Sequence, residues 1–142
     1  MSKQGYVAYE KAQAQELDQA KLILMMYAGG INFLNRALKL AKTDKQEMNK
    51  YISKTKDVIL ELMSSLNIEE SGEMGLILFH TYRGLFNKLN IVHIQENLIK
   101  ISEVRDSLIE LEDVWKQVFK SQEYQDFKNN SELFRLRLME NG

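Results

Sequence analysis

The chain has 142 residues, a net charge of −1, and neither cysteine nor proline. That length suits one domain burying about 68–70% of its unfolded surface without a metal or disulfide staple, and the lack of cysteine excludes disulfides and thiolate metal sites. Acids and bases are interspersed with no basic stripe, which argues against nucleic-acid binding, and the N-terminus lacks the basic-then-apolar order of a signal peptide.

The stretch up to Leu17 is polar, with Tyr6, Val7 and Tyr9 as its large anchors. A first helix is predicted from about Asp18, a suitable N-cap, to Leu40 or Ala41. Its apolar run, residues 22 to 34, carries two stripes at helical spacing. One is Leu22, Met25, Met26, Gly29 and Phe33; the other is Ile23, Tyr27, Ile31 or Gly30, and Leu34. A surface helix needs one apolar stripe, so the second calls for a further cover, and a partner is the natural candidate. The longest apolar run, Leu22 to Ile31, is too short to span a bilayer, which takes about 20 residues. A soluble cytoplasmic protein is therefore expected. Each of Gly29 and Gly30 costs about 1 kcal/mol of helix propensity. Their expected use is to let a neighbouring helix or a ligand backbone come close.

A second helix is predicted from Thr43 or Asp44, with Met48, Ile52, Thr55, Ile59, Leu62 and Leu66 spaced in alternating fours and threes. That is the seam of a left-handed bundle. Asn67 and Glu69-Glu70-Ser71-Gly72 read as a turn. A third helix is predicted from about Glu73 to Asn90 with Leu78, Tyr82, Leu85 and Leu89 on one stripe. A fourth runs from about Gln95 to Lys120 with Leu98, Ile101, Leu108, Leu111, Trp115 and Val118. Trp115 is expected on the inner stripe. Residues 131 to 139 read equally well as a short helix capped by Ser131 or, from the alternation Phe134, Leu136, Leu138, as a strand. Short connections between helices of similar length favour antiparallel neighbours. The expected fold is all-α: an antiparallel up-down four-helix bundle over 18–120, a short N-terminal segment 1–17, and a tail 121–142 with room for a short helix.

No catalytic or metal motif stands out, and no cofactor is implied. His80 and His93 do not follow a glutamate by three residues, and no H-E-x-x-H occurs. His80-Thr81-Tyr82-Arg83-Gly84 fits H-x-x-[K/R]-G on a bundle helix. It resembles the phosphorylated site of histidine phosphotransfer domains: His80 would take the phosphoryl group, Arg83 would neutralise it, and Gly84 would leave room for the partner. The bulky Leu85 and Phe86 after the glycine are expected to crowd that docking face.

The run Leu22-Ile-Leu-Met-Met-Tyr-Ala-Gly29 resembles the opening of the first long helix in flagellar secretion chaperones, the FliS family. Leu22, Leu24, Met25, Tyr27 and Gly29 match that pattern, with Met26 in place of leucine. Tyr9 corresponds to a tyrosine in the family's N-terminal segment. Asn90 corresponds to an asparagine closing the third helix, and Leu108, Leu111 and Trp115 to the end of the fourth. The similarity runs in order from residue 5 to about 120. Departures are Asp18-Gln19 where the family has Ser-Pro, Leu78-Phe79-His80-Thr81 where it has L-Y-D-Y, and a longer tail beyond Ser121.

The resemblance implies a non-enzymatic cytosolic export chaperone. It would bind the disordered C-terminal segment of flagellin in apolar grooves, prevent premature polymerisation and present the client to the flagellar export gate. Leu22, Met25, Met26, Gly29 and Phe33, with a neighbouring helix, are the expected groove. Tyr6 and Tyr9, three residues apart and so on one face of a helical turn, are the expected lid. Met25, Met26, Met48, Met63 and Met74 would offer an adaptable lining. An exposed groove also permits a weak homodimer. The readings beside this one are phosphotransfer through His80 and a plain helical adaptor; neither membrane insertion nor a nucleic-acid partner is expected.

Overall fold

A computed structural model describes the backbone of residues 3–95 and 97–141. It describes side-chain surroundings from residue 19 onward, apart from 68, 70, 96, 131, 132, 134, 135, 141 and 142. The described residues are almost entirely helical, in the order α1 (Lys3–Leu40), α2 (Lys45–Ser64), α3 (Ile68–Gln95), α4 (Leu98–Lys120) and α5 (Gln122–Asn141). The chain divides into two compact units: Met25–Glu112, and Met1–Leu24 together with Asp113–Gly142.

The unit Met25–Glu112 is the helix bundle. In it Asn35 and Gly30 of α1 meet Arg105 and Leu108 of α4, a descending-against-ascending register that makes the two helices antiparallel. Arg36, Phe33 and Gly30 likewise meet Tyr51, Tyr51 and the Thr55–Val58 turn of α2. Tyr27 of α1 faces Tyr82 of α3, ring centroids 6.4 Å apart, and their hydroxyls are hydrogen-bonded to each other in the core. Lys56 lies over the Phe86 ring, and Lys88 pairs with Glu103, which ties α2 to α3 and α3 to α4.

The seam of α2 is buried as its spacing predicts: Met48, Ile52, Thr55, Ile59 and Leu62 all face inward. Asp44 is the cap, its carboxylate accepting from the Glu47 amide at 3.0 Å. Thr55 buries its hydroxyl by donating to the Tyr51 carbonyl one turn back, at 2.8 Å. The turn expected over Asn67 and residues 69–72 is corrected: α3 already begins at Ile68, and only Gly72 interrupts it. Gly72 holds φ 59°, a left-handed conformation costly for any residue with a Cβ. Asn97 starts α4 by accepting from the Ile99 amide at 3.1 Å.

Four expectations are corrected. The first helix does not begin near Asp18; it runs from Lys3. Between Lys3 and Leu17 the residues are mostly strong helix formers with no proline, so nothing halts the helix and Asp18 falls in its interior. The tail is neither strand nor a short helix at Ser131. It is the 20-residue α5, capped by Ser121, whose hydroxyl accepts from the Tyr124 amide at 3.2 Å. Trp115 is not part of the bundle core. It is half-buried, belongs to the other unit, and stacks on Phe119 at 5.4 Å, which in turn meets Tyr124 at 5.2 Å. Val118, expected on the inner stripe, is exposed.

Candidate functional site

The two apolar stripes of α1 separate cleanly in the bundle. Tyr27, Gly30, Leu34, Ala37 and Ala41 turn inward. Gly30 lies so close to its neighbours that an added Cβ would stand 3.3 Å from Leu108 Cδ1 and 3.7 Å from Val58 Cγ1. Met25 on the other stripe is 62% exposed, and Met26, Gly29 and Phe33 are half-buried. A Cβ on Gly29 would meet nothing within 4 Å. So of the two glycines, Gly30 serves helix packing and Gly29 opens onto the outer face. Leu22, the fifth expected groove residue, is exposed and belongs to the other unit.

The outer stripe borders α2 at Phe33. Its ring lies 6.0 Å from that of Tyr51. Arg36 and Lys54 stand over the Tyr51 ring at 5.6 and 5.2 Å, and Lys54 also reaches the Phe33 ring at 5.7 Å. Arg36 Nη1 donates to the Tyr51 hydroxyl at 3.1 Å. This basic aromatic corner was not expected from the overall charge balance. The signal that could have found it is regional: residues 19–56 hold eight Lys and Arg against two Asp and Glu, in a chain that is slightly acidic overall.

The methionines divide between roles. Met48 is core, while Met74 is exposed like Met25. The Tyr6 and Tyr9 side chains lie outside the described residues, although the backbone there belongs to α1. His80, Arg83 and Gly84 share an exposed face of α3, with His80 edge-on to Phe79 at 5.8 Å. Leu85 does not crowd that face, because it turns into the core. Its position, five residues after His80, falls on the buried side of the helix. His93 lies at the end of the same helix. Partial burial, and then the positive charge of Lys56, hold its imidazole below the ordinary histidine range. No helix of the described residues is long and apolar enough to cross a membrane.

A helical bundle with a closed core and apolar side chains left exposed, Met25 of α1 and Met74, Leu76 and Ile77 of α3 among them, is the form of a protein that binds another protein. The comparison with known proteins gives that class a name. The model of the flagellar protein FliS family matches residues 2–122. The flagellar secretion chaperone FliS of Bacillus subtilis strain 168 is 29% identical over 120 residues, covering 82% of this chain and 87% of that protein. The flagellar secretion chaperone FliS of Campylobacter jejuni is 29% identical over 115 residues, covering 80% and 90%. The chain belongs to the FliS family, a family of chaperones and not of enzymes.

Proposed function

We propose that this protein is a cytoplasmic export chaperone that holds the disordered C-terminal segment of flagellin, keeps it from polymerising, and hands it to a component of the flagellar export gate. The names of its relatives support export chaperoning of a flagellar protein. The observation that carries the reading is the outer face of α1, where Met25 is exposed, Met26, Gly29 and Phe33 are half-buried, and Phe33 meets Tyr51 of α2. An amphipathic client helix would set anchors at i, i+3, i+4 and i+7 against this row. The open contact at Gly29 would let the client backbone approach, and methionines repack around varied side chains. The same exposed face would also support a weak homodimer of the free protein.

Calorimetric titration with the C-terminal segment of the organism's own flagellin tests the reading. One-to-one binding with a strongly negative heat-capacity change is expected, because a client that folds on binding buries apolar area. Met25→Asp should weaken it about tenfold or more by placing a charge in the interface. Absence of binding by the wild type would overturn the chaperone assignment to flagellin.

A further inference from the structure

The corner formed by Phe33, Arg36, Tyr51 and Lys54 has a chemistry that an apolar groove does not need. Arg36 follows Phe33 by three residues, so it extends the outer stripe of α1 by one turn. Two cations, Arg36 and Lys54, are gathered at the same pair of aromatic rings. Both are exposed, and among the described residues neither forms a salt bridge. Like charges gathered in this way repel, and an anion seated between them would relieve the repulsion. The Arg36 fork suits the two oxygens of a carboxylate, and its hydrogen bond to Tyr51 already restricts its position.

We infer that this corner seats the chain-terminal carboxylate of the client. The inference rests on the proposed function and deepens it by fixing the polarity of the bound helix. A client helix lying along Met25, Gly29 and Phe33 reaches Arg36 and Lys54 at one end. The end complementary to cations is the C-terminal one, where unpaired carbonyls concentrate negative charge. A segment that ends there adds a full charge from its terminal carboxylate. The client helix thus runs parallel to α1. The rings of Phe33 and Tyr51 shield the ion pair from water and strengthen it.

The test uses the full chain and the flagellin C-terminal peptide in two forms, free acid and terminal amide. In low salt the amide should bind about tenfold more weakly, and the gap should narrow as ionic strength rises. The double variant Arg36→Gln, Lys54→Gln should abolish the gap, binding acid and amide with the same affinity, at or somewhat below that of the amide on the wild type. The charge-conserving pair Arg36→Lys, Lys54→Arg should retain most of the gap. Thermal unfolding of both variants should match the wild type, since both side chains are exposed. Equal, tight binding of acid and amide by the wild type would overturn this inference and leave the chaperone reading standing. A gap that survives in the Gln variant would place the carboxylate elsewhere on the protein and overturn it too. Failure of both peptides to bind would remove the chaperone reading and this inference together.

Discussion

The two faces of α1 within the bundle have similar composition and opposite surroundings. On one, Leu34 and Tyr27 are fully buried and Gly30 is pressed against Leu108 and Val58. On the other, Met25 is mostly exposed and Gly29 faces open space. Apolar character therefore does not distinguish core from contact surface in this helix. What distinguishes them is which face the neighbouring helices close over.

The largest effect that would break this contrast is a truncation on each face. Leu34→Ala should cost about 2–5 kcal/mol, from lost transfer energy and the cavity left behind. Met25→Ala should change stability by no more than about 0.5 kcal/mol. Denaturant unfolding measures both, and comparable losses would mean the outer face is core after all. Overpacking comes next. Gly30→Val should destabilise by about 1–3 kcal/mol, since fully buried Leu108 has little room to move. Gly29→Ala sharpens the contrast in the other direction. With nothing near its Cβ, it should stabilise the protein by up to about 1 kcal/mol through helix propensity, seen as a raised melting temperature. A destabilising Gly29→Ala would show that the outer face is covered in the free protein.

The smallest effect lies away from α1, at the exposed end of α3. Burial and Lys56 depress the His93 imidazole, so the folded state binds its proton less readily than the unfolded chain does. His93 therefore costs no stability above the ordinary histidine value of about 6.5. Stability should decline slightly as pH falls from there through the lowered folded value, then level off once both states are protonated. An NMR titration should place the His93 midpoint below the ordinary value. Lys56→Gln should raise it only part of the way, because burial is the larger cause. Full recovery in that variant would make the charge the main cause instead.

Periodicity made α2 readable residue by residue, because a four-three alternation has only one face to bury and all five of its central positions are buried. In α4 the same reasoning found Ile101 and Leu108 but omitted Val104, which is fully buried. It also carried the inner stripe on to Trp115 and Val118, beyond Glu112 where the bundle unit ends. Period alone cannot tell where a helix leaves one packed unit and enters another. The ends of the chain were misread for a related reason. Polar helix-forming residues give no apolar period, so α1 before Asp18 and most of α5 carried no amphipathic signal.

The all-helical class, the start of α2 at Asp44, the break at Gly72, and membership of a family of flagellar chaperones were all determined by the sequence. Local propensity, capping and the order of apolar positions act over a few residues and are written in the chain. The tertiary structure decided which glycine packs and which opens, which stripe of α1 is core, and that Phe33, Arg36, Tyr51 and Lys54 share one corner. Those outcomes depend on the register of α1 against α2 and α4. That register is set by the packing of side chains far apart in sequence, such as Gly30 against Leu108, and no local pattern encodes it.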